Sequence, residues 1–182
     1  MSDALTFLLD TCWEALSDGL SRPEAPARLP MLATVSPDGM PQARTVVLRA
    51  ADRTDAWAEV HTDAASAKIS ELRANPHAAL CIWDAPRNLQ IRMAAEVLIL
   101  SGSDAADRWA KVPLSARGGY GAIPPSGTPI AAATHYQRTA NAEGHAVLRL
   151  NITALDLLTL GPPQARARYR AVDDWRGQWL SP

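Results

Sequence analysis

The amino-acid sequence predicts a mainly β domain with a few helices, arranged as a small barrel. Short apolar or alternating segments recur along the chain and are separated by turn residues, which is typical of β proteins. The length of 182 residues fits one domain, and 47% of the residues are hydrophobic, which is enough for a core. We therefore expect a single domain over residues 1–182, with about seven or eight strands and interspersed helices.

Helical periodicity is clearest at the start of the chain, over residues 1–20. Ser2 or Asp3 is a suitable cap, and Gly19 and Pro23 favour an end to the helix. The apolar residues that recur every three or four positions are Leu5, Leu8, Cys12 and Leu16. Shorter helices are predicted over 66–74 and 103–111.

Alternation of apolar and polar residues predicts the strands. They cover residues 31–36, 42–49, 57–62, 78–83, 89–100, 146–151, 155–160 and 165–171. In the segment 89–100 the apolar side chains should face the core, while Gln90 and Arg92 are displayed together on the other face. Residues 113–129 are rich in proline and glycine and are predicted to form an extended loop, and 172–182 to form a C-terminal tail.

Charge and cysteine usage exclude several classes of protein. The chain has 18 basic and 19 acidic residues and a net charge of -1, so no global field attracts nucleic acid or an anionic membrane. No apolar run is long enough for a membrane span, and we expect a soluble, cytoplasmic protein. Cys12 and Cys81 are predicted to be reduced and buried. Neither the cysteines nor the histidines have the spacing of metal ligands, so no metal is predicted.

One cluster of residues has the chemistry of an anion site. Arg44 and Arg49 bracket a predicted strand, and Ser66 and Lys68 stand at the start of a predicted helix. Guanidinium groups match phosphate geometry, and a helix N-terminus presents free N–H groups to an anion. The alternative interpretation is a strand with charged ends beside a helix with a solvated lysine.

A second cluster lies near the C-terminus. Arg166, Arg168 and Arg170 alternate with Ala165, Ala167 and Tyr169, so the three guanidinium groups should share one face of a strand. Like charges in a row repel, which favours an anionic partner. An exposed edge strand protected by charge is the alternative.

The order of these motifs resembles that of the pyridoxamine 5'-phosphate oxidase family. The similarity covers residues 32–96 and 160–170, and the ending from Trp175 to Pro182 is similar to the family's C-terminal tail. The motifs that carry it are Arg44 with Leu48-Arg49, Thr62, Ser66 with Lys68, and Leu89-Gln90-Ile91-Arg92.

The resemblance implies a split β-barrel that works as a homodimer, with FMN bound at the interface between the two subunits. It implies an FMN-dependent oxidoreductase, and places Arg166 at the substrate. The positions that match the family's cofactor-binding residues are Arg44, Thr45, Val46, Val47, Leu48, Arg49, His61, Thr62, Ser66, Lys68, Gln90 and Arg170. No catalytic acid or base is assigned, because the flavin carries the redox chemistry in such proteins.

The sequence departs from the family pattern at several positions. Ala67 stands where an arginine is usual beside the phosphate-binding lysine, and Arg49 replaces a lysine. The loop 109–122 offers Leu114 and Gly118 where the oxidases hold pyridoxamine phosphate with polar side chains. We therefore expect FMN binding with an altered substrate site. Two alternatives remain: a non-catalytic protein that binds flavin, haem or a deazaflavin, and an interaction domain with an empty groove.

Overall fold

The computed structural model describes residues 3–182, so the possible cap Ser2 lies outside the described residues. The helices are α1 (Asp3–Ser21), α2 (Ala67–Ala74), α3 (Ala106–Lys111) and α4 (Leu114–Arg117). The strands are β1 (Met31–Val35), β2 (Pro41–Thr45), β3 (Leu48–Asp52), β4 (Trp57–Asp63), β5 (His77–Asp84), β6 (Leu89–Ser101), β7 (Ala122–Ile123), β8 (Gln137–Arg138), β9 (His145–Thr159), β10 (Ala165–Arg170) and β11 (Gln178–Leu180).

Nine of the strands form one antiparallel sheet. Its main path runs β11-β10-β9-β6-β5-β1-β2, and β4 branches from β9 and carries β3. The sheet therefore wraps around a core without closing, because β2 and β3 do not pair with each other. The mainly β split barrel with helices is confirmed. The separate pair β7–β8 lies in the segment between α4 and β9.

The core fills the inside of the curved sheet and is covered at one end by α1. Leu32, Ile91 and Leu155 on three different strands are fully buried, as the alternation of the sequence predicts. The apolar face of α1 packs on this core, and the hydroxyl of Tyr169 on β10 donates to the carbonyl of Leu5 at 2.8 Å. That hydrogen bond fixes the helix on the barrel.

Two predicted strand boundaries are wrong. The segment 42–49 is two strands, because β2 pairs with β1 and from Leu48 onward the chain pairs with β4 instead; the N–H of Val46 still donates to the carbonyl of Pro30 at 3.0 Å, next to the β1–β2 ladder. Conversely, 146–151 and 155–160 belong to the single strand β9. A bulge at Thr153 shifts the register of β9 against β6 by one residue without ending the strand, and the Thr153 hydroxyl donates to the carbonyl of Ala94 at 3.2 Å.

Three further expectations need correction. The segment 113–129 is not only an extended loop, since it contains α4 and β7. The tail contains β11, which pairs with β10, so β10 is not an edge strand and the edge-protection interpretation of its arginines is wrong. Cys12 is buried as expected, whereas Cys81 is exposed because it alternates on β5 with the core residues Leu80 and Ile82.

No helix within residues 3–182 is long and apolar enough to cross a membrane.

Candidate functional site

A cavity of about 530 Å³ lies where β4 ends and α2 begins. It is covered by residues of the segment 116–138, which includes α4, β7 and β8. Six of the positions predicted to bind the cofactor line this cavity together: Val47, Arg49, His61, Thr62, Ser66 and Lys68. The structure therefore brings half of the predicted set to one place.

A short polar network links the floor of the cavity. The Lys68 ammonium donates to the Thr62 hydroxyl at 2.9 Å, and the Thr62 and Ser66 hydroxyls are 3.1 Å apart. Burial lowers the pKa of Lys68, and the neighbouring Arg44 lowers it further, while Glu71 and Asp63 act in the opposite direction. A partly desolvated cation at the first turn of a helix is a strong attractor for an anion.

Arg44 lies behind the cavity and does not line it. Its guanidinium pairs with the buried Glu71 carboxylate at 2.8 Å and hydrogen-bonds to the buried Thr34 hydroxyl. The Thr34 hydroxyl in turn donates to Glu71 at 2.5 Å. Arg44 therefore connects β2 to α2. Its effect on the cavity is electrostatic, because its positive charge lowers the pKa of Lys68.

The remaining predicted residues of this segment point away from the cavity. Val46 and Leu48 are buried in the core, and Thr45 is exposed at the end of β2. These orientations go with the break between β2 and β3. Of the residues around that break, Val47 and Arg49 face the cavity.

An aromatic cluster behind the cavity was missed by the sequence analysis. His145 is fully buried, and its ring lies 4.8 Å from that of His61, 4.9 Å from Tyr120 and 5.4 Å from Trp109. Neither ring nitrogen of His145 has a hydrogen-bond partner among the described residues, and neither does Nδ1 of His61. Burial, with the nearby His145 and Arg49, lowers the pKa of His61 to about 4, so its ring is neutral at physiological pH.

The segment that covers the cavity is anchored at one carboxylate. Asp63 Oδ2 accepts the N–H groups of Gly121 at 2.8 Å and Ala122 at 3.4 Å, and Oδ1 accepts that of Ala65 at 2.7 Å. The pairing of β7 with β8 then brings Arg138 opposite Ala122. We call residues 118–140 the flap. The sequence carried no signal for it beyond its glycine and proline content.

A second cavity of about 500 Å³ adjoins the first, with Arg49 and His61 in the wall between them. Its floor is the buried Glu59 carboxylate, which accepts from Arg108 at 3.0 Å and pairs with Arg149 at 3.5 Å. Arg149 also lies 3.9 Å over the ring of Trp57, another wall of this cavity. The Glu59 carboxylate is therefore already paired with two arginines.

Gln90, Arg166 and Arg170 do not line either cavity. They lie on β6 and β10, and Gln90 and Arg166 face outward from the sheet. Arg166, Arg168 and Arg170 do share one face, as predicted, but each has a partner within the chain. Arg166 holds Asp156 with two hydrogen bonds of 3.0 and 2.8 Å, Arg168 bonds Gln178 at 3.2 Å, and Arg170 bonds Asp173 at 2.6 Å.

Comparison with known proteins identifies the family of this fold and site. Residues 10–101, about half of the chain, match the family model described as pyridoxamine 5'-phosphate oxidase, FMN-binding domain. The chain belongs to this family. The oxidase assignment by resemblance is thereby confirmed at the level of the family.

Relatives and solved structures agree with this membership. The pyridoxine/pyridoxamine 5'-phosphate oxidase of Thermosynechococcus vestitus is 36% identical over 114 residues, which are 63% of this chain and 53% of that protein. That of Pseudomonas putida is 32% identical over 120 residues, 66% of this chain and 55% of that protein. The chain thus spans about half the length of the curated relatives it matches.

Two crystal structures match nearly the whole chain. A pyridoxamine 5'-phosphate oxidase-related, FMN-binding protein from Nostoc punctiforme superposes with a TM-score of 0.76 and 27% identity, covering 95% of this chain and 96% of that one. PhzG from Burkholderia lata, in complex with tetrahydrophenazine-1-carboxylic acid, gives a TM-score of 0.75 at 18% identity, covering 97% and 92%. The second match shows the fold alone.

Proposed function

We propose that this protein binds FMN in the first cavity and uses it as an oxidoreductase with a substrate site different from that of the pyridoxamine phosphate oxidases. The observation that carries the proposal is the convergence of six predicted cofactor positions, including Lys68, on one cavity of about 530 Å³. That volume is in the range of about 300–1,000 Å³ typical of cofactor sites.

The side chains present fit the parts of FMN. Lys68, with the Thr62 and Ser66 hydroxyls at the start of α2, would hold the phosphate. Val47 and the neutral His61 would face the less polar ring system, because neither adds a charge that the ring would have to desolvate. When bound, the flavin supplies hydride or electron transfer, and the protein supplies its position and surroundings.

A second copy of the chain would complete the site. Gln90 and Arg166 lie on the outer face of the sheet and line neither cavity, so they reach a cofactor only from a partner subunit. On the same face, two large apolar side chains would be exposed to water in a monomer: Met31 is 41% exposed and Trp83 is 46% exposed. Trp83 is the cross-strand neighbour of Gln90, so the apolar patch and the expected cofactor contact are adjacent.

The cofactor assignment is tested by removing the cation at the start of α2. Lys68→Ala should weaken FMN at least about tenfold, since a charge-assisted hydrogen bond contributes about 1.5–3 kcal/mol, while Lys68→Arg should retain most of the affinity. The measurement is a titration of flavin fluorescence, after the absorbance spectrum and mass of any ligand released from the purified protein. If the wild type and Lys68→Ala bind FMN with equal affinity, Lys68 does not bind the phosphate.

The same spectrum decides between the proposal and its alternatives. A haem or deazaflavin spectrum would replace FMN with that cofactor on the same fold. A colourless protein that ignores added FMN would favour an interaction domain.

The shared site makes a separate prediction. FMN should raise the dimer fraction and the melting temperature together, because a ligand that binds only the assembled site stabilises it. Trp83→Asp should lower both the dimer fraction and FMN affinity in analytical ultracentrifugation and titration. Phe7→Asp is the matched control, because Phe7 is 72% exposed on α1, away from this face. A monomer that binds FMN normally at low micromolar concentration contradicts a shared site.

A further inference from the structure

The first cavity holds an excess of positive charge. Three cationic side chains line it, namely Arg49, Lys68 and Arg138, against the single carboxylate of Asp63. Asp63 is already occupied, because its two oxygens accept three backbone N–H groups. None of the three cations forms a salt bridge within residues 3–182, although eleven such pairs occur elsewhere in that part of the chain.

Arg138 is held at the cavity by its backbone. It lies on β8 opposite Ala122, and the N–H of Ala122 points to Asp63, three residues before Ser66. This chain of contacts brings the β8 strand to the start of α2. The Cβ of Arg138 lies 3.7 Å from the position that a Cβ on Gly118 would occupy, so β8 lies beside the segment that follows α4.

The Arg138 guanidinium has no hydrogen-bond or salt-bridge partner within residues 3–182. Its central carbon lies 5.5 Å from the ring centre of Tyr136. A stacked guanidinium keeps its N–H groups free, and these groups match the geometry of a phosphate. The first turn of α2 offers only the methyl group of Ala67 beside Lys68, so it supplies one cation and no second.

We infer that Arg138 is the second phosphate-binding cation of this site, reaching from the flap to the phosphate that Lys68 holds from α2. The inference rests on the proposed binding of FMN and adds a residue to it. Arg49 is set apart from this pair, because it lies beside His61 in the wall shared by the two cavities. The phosphate of FMN would thus connect the flap to α2. A flavin without a phosphate would make no such connection.

The test compares FMN with riboflavin, which lacks the phosphate. Arg138→Ala should weaken FMN by about tenfold or more and leave riboflavin affinity unchanged, and Arg138→Lys should recover part of the loss. Arg73→Ala is the matched control, because Arg73 is an exposed arginine on the last turn of α2 and lies outside both cavities. It removes the same charge and should bind both flavins as the wild type does.

A second readout follows the flap itself. FMN should protect the flap of the wild-type protein from limited proteolysis, and neither riboflavin nor FMN with Arg138→Ala should do so. FMN affinity of Arg138→Ala equal to wild type, while Lys68→Ala is weakened, overturns the role of Arg138 alone. An equal loss for FMN and riboflavin also overturns it, because the residue would then shape the cavity. Failure of the wild type to bind either flavin overturns the proposed function instead.

Discussion

The charge state of a single side chain in this molecule depends on the residues that surround it in space. His61 and His145 are 84 positions apart in the chain, yet their rings meet edge to face at 4.8 Å. Burial lowers the pKa of both, and in the described part of the chain Nδ1 of His61 and both ring nitrogens of His145 are buried without a hydrogen-bond partner. Uncharged imidazoles at the back of a cofactor cavity can donate or accept a hydrogen bond without placing a fixed charge beside the ring system.

These imidazoles make stability depend on pH. In the folded protein the pKa of His61 is about 4, against an ordinary value of 6.5. Between these pH values the unfolded chain binds a proton that the folded chain does not, so the free energy of unfolding should fall as the pH falls from 6.5 to 4. After discounting for partial exposure we expect a loss of about 2 kcal/mol, with His145 adding to it in the same direction.

The measurement is urea denaturation at several pH values, with NMR titration of the imidazole protons. His61→Gln should flatten the decline between pH 6.5 and 4, because glutamine does not titrate there. The exposed His135→Gln on the flap is the control and should leave the slope unchanged. A His61 ring that titrates near 6.5 in the folded protein contradicts the expectation.

The site residues found from the sequence and those it missed differ in kind. Lys68 and Thr62 could be predicted to lie together because both belong to short motifs within one stretch of chain, and the fold places Lys68 Nζ 2.9 Å from Thr62 Oγ1. His145 and Arg138 stand in no motif: the pairing of β9 with β4 brings His145 against His61 behind the cavity, and the pairing of β8 with β7 brings Arg138 to the cavity lining. Residues whose role depends on long-range pairing carry no local signal.

At the scale of secondary-structure elements, most strands were predictable and their interruptions were not. The alternation along β6 predicted its start, its end to within one residue and its buried face, because one side of the strand lies against the core. The break between β2 and β3 and the bulge at Thr153 reflect contacts between strands that are distant in the chain: β2 pairs with β1 whereas β3 pairs with β4, and the register of β9 with β6 shifts between Ala94 and Ala95. Such contacts are invisible in the sequence, and they decide which residues of 42–49 face the cavity.

The flap is the element on which the cavity depends most, and Gly121 is its critical residue. Gly121 has a φ of +122°, and a Cβ there would lie 2.5 Å from the carbonyl oxygen of Thr139 and 2.9 Å from the Cβ of Asn141. Gly121→Ala should therefore detach the flap from Asp63 and weaken FMN binding about tenfold or more, while the barrel stays folded.

Limited proteolysis between residues 113 and 144 and an FMN titration check this prediction, with circular dichroism as the test of folding. Gly161→Ala is the control, since nothing lies within 4 Å of a Cβ at that position, between β9 and β10. If Gly121→Ala resists protease and binds FMN as the wild type does, the Asp63 anchor does not position the flap.

For the whole molecule, the family and the fold were within reach of the sequence, whereas the substrate was not. A sheet that wraps around a core without closing leaves one outer face with exposed apolar side chains and places two adjoining cavities near the β4–α2 corner. The dispersed motifs from Arg44 to Arg92 identify this arrangement, and the family match over residues 10–101 confirms the family. We expect substrate choice to depend instead on the segment 109–122, where the chain departs from the family pattern.

In the structure, the side chains of that segment mainly contact one another and the neighbouring His145. Trp109 packs against His145 and Tyr120, and Leu114 is 80% exposed. Arg117, the one cation that could stand in for a substrate-binding arginine, donates to the carbonyl of Val112 at 3.1 Å and stacks 4.8 Å over the ring of Trp109. Its guanidinium is thus held by the loop and faces neither cavity.

We therefore predict that the protein binds FMN but oxidises pyridoxamine 5'-phosphate poorly or not at all. A site that lacks the groups that orient a substrate loses rate as well as affinity, because binding energy no longer aligns the reacting bond. Steady-state oxidation in air, followed by release of hydrogen peroxide, measures this directly, with the pyridoxine/pyridoxamine 5'-phosphate oxidase of Thermosynechococcus vestitus as the positive control. Turnover near the median enzyme rate of about 10 per second, with a micromolar Michaelis constant, would show that the loop 109–122 holds this substrate after all.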